Sequence, residues 1–339
     1  MIDTRFESLK MWLNTLTQPY ALNLDAITPA SSDASFRRYF RVMAQEKNHA
    51  SLIVMDAPVD QEDVRPFLKI AKQLANAQVL VPQIYAENLK EGFLLLSDFG
   101  NQTLLGQILP ENADQLYREV NTVLISMQKN TSVENLPIYD DTLLRKEMEL
   151  FPQWYLGTHL GLEMSDTEKN DLASVFNQLV GNAISQTQVF THRDFHSRNL
   201  MVTATNTLGV LDFQDAVLGP ITYDVVSMYR DAYIGWEEEQ QMDWVVRYWE
   251  MAKKQGLPVP HDFGDFYRNF EWMGLQRHLK VLGIFARLFY RDGKNGYLKD
   301  LPVVLNYAQK VAERYTAFKP LVRIFDRAQH IQRPTGFTF

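Results

Sequence analysis

Apolar positions along the first hundred residues change their period several times. Residues 4–16 carry Phe6, Leu9, Met11, Trp12, Leu13 and Leu16, the spacing of a short amphipathic helix. Stretches 36–42 and 51–57 then read as strands, separated by a polar connection around 45–49. Residues 61–77 return to a 3.6-residue period through Val64, Phe67, Leu68, Ala71, Leu74 and Ala75, which predicts a helix. Two further strands are expected at 81–87 and 92–97, split by a turn at 88–91. The pattern predicts a small antiparallel sheet with one main helix.

Beyond residue 101 the period is helical. Helices are expected at 103–109, 111–129, 140–160, 166–187, 222–233, 237–255, 266–291 and 301–317. Ser165-Asp166-Thr167-Glu168 has the form of a capping box and starts one of them. Strands are expected in this half only at 189–191, 200–202 and 208–211, with a turn at 203–207. The stretch from 320 to 339 shows no clear period. The expected fold class is α+β: a β-rich lobe over 1–97, a linker at 98–101 and a larger, mostly helical lobe over 102–339.

Composition narrows the function classes. A chain of 339 residues has room for two domains and a large core. A net charge of −7 argues against a general nucleic-acid binder and against docking on anionic membranes. With no cysteine, disulfides, thiolate metal sites and thiol nucleophiles are excluded. The N-terminus carries Asp3 and Glu7 and no apolar signal region, and no run approaches the ~20 apolar residues of a membrane span. A cytoplasmic enzyme is expected, with no protein partner indicated.

The chemistry concentrates in Thr191-His192-Arg193-Asp194-Phe195-His196-Ser197-Arg198-Asn199 and the following Leu211-Asp212-Phe213. Phosphoryl transfer from a metal–nucleotide needs a carboxylate facing the attacking hydroxyl and hard oxygen ligands for Mg²⁺. Asp194 suits the first role, and Asn199 and Asp212 the second. His-x-Asp-x-x-x-x-Asn followed by an Asp that opens a turn is the order of a kinase catalytic loop and metal loop. Asp and Asn are also common in ordinary turns. The strand before the loop, and the hairpin that delivers Asp212, favour the functional reading. ATP and Mg²⁺ are the cofactors this set calls for.

These motifs, with Gly219-Pro220-Ile221-Thr222-Tyr223-Asp224, resemble the aminoglycoside phosphotransferase and choline kinase superfamily, whose fold is protein-kinase-like and two-lobed. The resemblance spans about residues 31–301. Two stretches, 33–41 and 276–285, are similar to the branch that phosphorylates N-acetylmuramate and N-acetylglucosamine at the anomeric hydroxyl in peptidoglycan recycling. The resemblance implies that Asp194 is catalytic, that Asn199 and Asp212 bind Mg²⁺, that His192 and Asp224 support the loop, and that nucleotide occupies the cleft between lobes.

The small lobe departs from the kinase pattern. No glycine occurs before Gly92, so Ser31-Ser32-Asp33-Ala34-Ser35 stands where a Gly-rich loop is expected, with Ser32, Asp33 and Ser35 as candidates to cradle phosphate. No lysine lies between Lys47 and Lys69, so the usual strand lysine is missing. Arg37 and Arg41, four apart on one strand face, are the candidate replacements; Arg38 projects oppositely. The alternative is that these arginines are edge charges that deter strand aggregation. Glu62 or Asp63 stands where the usual helix acid is expected. Ser97, Asp98 and Phe99 would offer backbone groups to adenine.

For the acceptor, His196, Arg230, Gln276, Arg277 and Lys280 are the candidate substrate contacts. Gln276, Lys280, Arg287 and Arg291 share a helical stripe that suits a sugar bearing a carboxylate better than a polycation. A solvated basic face is the alternative. Trp154, Tyr155, Tyr233 and Trp236 are candidates to stack on a sugar ring. The expected function is an ATP- and Mg²⁺-dependent sugar kinase with a small-molecule substrate. An aminoglycoside or amino-alcohol kinase is the alternative of the same class, and a non-catalytic nucleotide-binding scaffold the alternative of another.

Overall fold

A computed structural model of the chain describes residues 3–32, 36–46 and 49–330. In chain order the first elements are α1 (Thr4–Asn14), α2 (Thr17–Tyr20), β1 (Leu22–Ser32), β2 (Arg38–Glu46), β3 (His49–Asp56), α3 (Arg65–Asn76), β4 (Ile84–Asn88) and β5 (Phe93–Ser97). They are followed by α4 (Leu104–Gln107), α5 (Ala113–Asn130), α6 (Asp141–Met148), α7 (Asp166–Ser185), β6 (Gln188–Thr191), β7 (Leu200–Val202), β8 (Leu208–Val210) and β9 (Val217–Pro220). The chain ends in α8 (Tyr223–Tyr229), α9 (Glu238–Lys254), α10 (Phe263–Tyr290), α11 (Leu301–Arg314) and α12 (Lys319–Ala328). Two compact units emerge: Met1–Gln107 with Arg198–Asp215, and Ile108–Ser197 with Ala216–Phe339.

The first unit is built on a five-stranded sheet in the order β1-β2-β3-β5-β4, antiparallel throughout. Alternation explains its core: Val42, Leu52, Val54, Phe93 and Leu95 are buried together with Leu9 and Leu13 of α1. Asp3 caps α1 by accepting the Phe6 N–H at 3.0 Å. The periodicity missed β1. It is an edge strand with irregular register on either side of Thr28–Pro29, and it offers little apolar alternation. Helix α3 starts at Arg65 rather than 61, with Pro66 in its first turn. The β7–β8 hairpin belongs to this unit. Val202 N–H donates to Gln102 O at 2.8 Å, and Val210 N–H to Leu80 O at 2.8 Å. Gly209 admits the Phe99 ring, because a Cβ there would lie 2.5 Å from it.

The second unit packs its helices around α10, which meets α6, α7, α8, α9 and α11. The capping box forms as expected, with Ser165 and Glu168 exchanging bonds to each other's backbone N–H. Three expectations change. The helix expected at 140–160 ends at Met148 and continues as a π-helical segment over Phe151–His159, where Pro152 has no N–H to give. Val217–Pro220 forms a strand, β9, paired with β6, outside the strands expected in this half. The stretch after Pro320 is helical to Ala328, with Leu321, Ile324 and Phe325 buried at helical spacing. Among the described residues no helix is long and apolar enough to cross a membrane.

Candidate active site

In the helical unit, β6 and β9 deliver the chain to residues 192–197. Arg193 takes a φ of 76°, a left-handed conformation that an arginine adopts only when its surroundings enforce it. The enforcing group is Asp224, fully buried in the first turn of α8, whose carboxylate accepts the His192 N–H at 2.7 Å and the Arg193 N–H at 3.0 Å. At the other end of the loop Asp231 accepts both the N–H (2.9 Å) and the hydroxyl of Ser197. His192 Nδ1 accepts the Asp194 N–H at 3.2 Å, and buried Phe195 anchors the middle. Asp194 is thus held from both sides while its side chain stays partly exposed.

Burial would raise the Asp194 pKa, but Lys280, then His196, Arg193 and His192, more than offset it. The carboxyl sits below its ordinary range and is ionised at neutral pH. Glu147 organises these cations. It lies 3.2 Å from Lys280 Nζ, pairs with Arg193 and accepts the Tyr139 hydroxyl proton. Burial alone would raise the Glu147 pKa; Lys280 and Arg193 bring it below normal, and Glu147 in turn raises Lys280 despite burial. Nothing in the spacing of Glu147 and Lys280 could have paired a residue of α6 with one of α10.

The sheet unit holds a cavity of about 380 Å³. Ile53, Leu96, Met201 and Leu211 give it apolar walls, the Ser97–Asn101 segment passes along it, and Asn199 and Asp212 also line it. Leu211 N–H donates to Asn199 O at 2.9 Å and Asn199 Nδ2 lies 3.4 Å from Asp212 Oδ2, so the hairpin brings the two side chains together. Asp212 takes a φ of 62°, and Gln214 donates to its Oδ1 at 2.7 Å. Phe213, fully buried, packs on Phe67 of α3 at 4.8 Å between ring centres. No group of three or more His, Cys, Asp or Glu side chains among the described residues is arranged to hold a metal by itself. A magnesium that arrives on nucleotide phosphates takes only one or two protein ligands, and this pair of oxygen-bearing side chains fits that case.

The arginines are placed by carboxylates. Arg37 precedes β2, meets Glu62 at 3.1 Å and approaches Asp212 Oδ1 at 3.8 Å. Asp63 pairs instead with Arg65 of its own turn. Arg41 lines the cavity and is bound by Asp98, Asn101 and the Gly100 carbonyl. Asp98 also accepts Ser51 Oγ–H at 2.7 Å and Gly100 N–H at 2.8 Å; burial raises its pKa, but Arg41 and these donors leave it lowered. Arg38 turns the other way, to Asp56 at 2.6 Å. Because β2 lies between β1 and β3, these side chains are not edge charges. Ser32 is the last residue of β1; Asp33 and Ser35 lie outside the described residues.

The acceptor candidates fall in the helical unit and are mostly buried. His196 packs against Tyr233 at 5.2 Å between rings, and burial lowers its pKa. Arg230 pairs with Glu271 at 3.1 Å, and Gln276 donates to the Tyr139 hydroxyl at 3.3 Å. Gln276, Arg277 and Lys280 are buried, so this part of α10 is not a solvated basic face. Asp215 is exposed. Trp236 donates its indole N–H to the Tyr117 hydroxyl at 2.8 Å, and buried Tyr155 stacks on Phe151.

A fold that sets an ionised loop aspartate in one unit, and an Asn–Asp pair beside a nucleotide-sized cavity in the other, belongs to a phosphotransferase. Residues 26–263 match the model of the phosphotransferase enzyme family, and the chain belongs to that family; it is a kinase with a hydroxyl acceptor. The chain is 46% identical over 320 residues to an N-acetylmuramate/N-acetylglucosamine kinase of Pseudomonas aeruginosa, covering 92% of this chain and 93% of that one. The fold is shared with an ethanolamine kinase of Plasmodium vivax at a TM-score of 0.62 and 12% identity, over 88% of this chain and 84% of that one. It is also shared with an ADP-bound aminoglycoside phosphotransferase at a TM-score of 0.57 and 13% identity, over 92% and 99% of the two chains.

Proposed function

We propose that this protein is an ATP- and Mg²⁺-dependent cytoplasmic kinase that phosphorylates the anomeric hydroxyl of N-acetylmuramate and N-acetylglucosamine. The observation that carries the chemistry is the pairing of Asn199 with Asp212, 3.4 Å apart on the cavity of the sheet unit. In this reading the cavity takes the nucleotide, with adenine against Ile53, Leu96 and Met201 and within reach of the Ser97–Phe99 backbone. Asn199 and Asp212 would hold Mg²⁺, which when bound neutralises charge on the transferring phosphoryl group. Asp194 orients the acceptor hydroxyl and accepts its proton as the phosphoryl group leaves ADP. Lys280 and Arg193 keep Asp194 ionised before the acceptor arrives, and Glu147 keeps both cations in place. Arg37, between Glu62 and Asp212, takes the place of the missing strand lysine by fixing the metal-binding carboxylate.

Similarity to the Pseudomonas kinase supports the sugar acceptor, and so does the state of the acids. An aminoglycoside needs several free carboxylates. Here Glu147 is engaged by Arg193 and Lys280, Glu271 by Arg230 and Arg314, and Asp231 by Ser197 and the Tyr233 N–H. The test is ADP release from Mg-ATP with each of four acceptors: N-acetylmuramate, N-acetylglucosamine, kanamycin and choline. Turnover with the two sugars is expected. Turnover only with kanamycin or choline would overturn the sugar assignment, and ATP binding without turnover on any acceptor would favour a scaffold.

A further inference from the structure

Among the described residues, three cationic side chains are buried: Arg230, Arg277 and Lys280, all on the helical unit. Arg230 sits on Glu271 at 3.1 Å and Lys280 on Glu147 at 3.2 Å. Arg277 is different. Like Arg230 it is 3% exposed with Nε and Nη1 that meet no hydrogen-bond partner, but no carboxylate pairs with it. Its charge acts on His196 and His278. Burial lowers both imidazoles, with Arg277 as a further positive charge, so neither supplies the missing negative charge. His278 gives its Nε2 to the Arg230 carbonyl at 3.1 Å instead.

A guanidinium removed from water with its donors unspent is costly, and such groups are found where an anion completes them. Arg277 lies on α10 one turn before Lys280, the cation that pairs with Glu147, and its charge reaches His196, two residues after Asp194. We infer that Arg277 recognises a carboxylate carried by the acceptor, so that the enzyme separates an acidic N-acetylated sugar from a neutral one. The inference rests on the amino sugar reading and deepens it. The planar guanidinium suits a carboxylate, and the bond is charge-assisted on both sides.

The test compares kcat and KM at saturating Mg-ATP for N-acetylmuramate, its neutral carboxamide and N-acetylglucosamine. For the wild-type protein the carboxamide should show a KM about ten- to hundredfold above the acid, the loss expected for one charge-assisted contact. In Arg277→Gln, kcat/KM should fall at least about tenfold more for N-acetylmuramate than for N-acetylglucosamine, with Arg277→Lys between. The wild-type comparison needs no variant to fold. A carboxamide as good as the acid, or an equal fall on both sugars, overturns the inference while leaving the amino sugar kinase standing. No wild-type turnover on either sugar overturns both.

Discussion

Arg37, Arg38 and Arg41 of the sheet unit each meet a carboxylate of that unit, Glu62, Asp56 and Asp98 in turn, whereas Arg277 of the helical unit is buried without one. These three arginines of the sheet unit are each met by a carboxylate of the protein itself. In the proposed reading, a nucleotide cavity without the strand lysine or a Gly-rich loop would rely on arginines that fix acids, Asp98 for Arg41 and Asp212 for Arg37, and on the metal those phosphates bring. Among the described residues, the helical unit keeps one buried cation, Arg277, without a carboxylate, and we assign that charge to the acceptor. If the proposals hold, acceptor selectivity rests on an unmet charge and nucleotide binding on met ones.

The largest effect should come from Asp194→Asn. Turnover should fall by about 10²–10⁴, the range for a lost general base, while ADP affinity by calorimetry stays unchanged. Full activity would remove Asp194 from the reaction. Glu147→Gln leaves Arg193 and Lys280 without their shared carboxylate. Breaking such a buried pair should lower stability by about 3–5 kcal/mol in urea unfolding, and a loss within error would mean the cluster relaxes into solvent. Arg41→Ala should raise the KM for ATP about tenfold, with the KM for sugar little changed, because it frees Asp98 along the cavity wall. Unchanged nucleotide kinetics would reduce Arg41 to a tether.

A further effect concerns pH. Burial first, then the charge of Arg277, lowers His278 to about 3 from an ordinary 6.5. Between those values the unfolded chain binds a proton that the folded chain does not, so stability declines as pH falls from about 6.5 toward 3. His278→Gln should flatten that part of the profile of melting temperature against pH, and an unaltered slope would place the titration elsewhere.

Much of this was legible in the sequence because it is local. The strand–loop–hairpin order around Asp194, Asn199 and Asp212, the Ser165 capping box and the amphipathic α3 each depend on neighbours a few residues away. What stayed hidden was long-range or irregular. Strand β1 is an edge with broken register, β9 runs through a Gly-Pro pair, and the helix expected at 140–160 gives way to a π segment at Phe151. The same holds at the site. Glu147 lies on α6 and Lys280 on α10, and only tertiary packing joins them. The positive φ at Arg193 and Asp212 leaves no mark in residue type that a reader could have used.

The decisive measurement is the ³¹P spectrum of the reaction of this protein with Mg-ATP and N-acetylmuramate. A new phosphate resonance coupled to the sugar H1, growing as the γ-phosphate of ATP disappears, is the expected result. A phosphate on any other hydroxyl, or ATP consumed with inorganic phosphate as the sole product, would contradict an anomeric kinase.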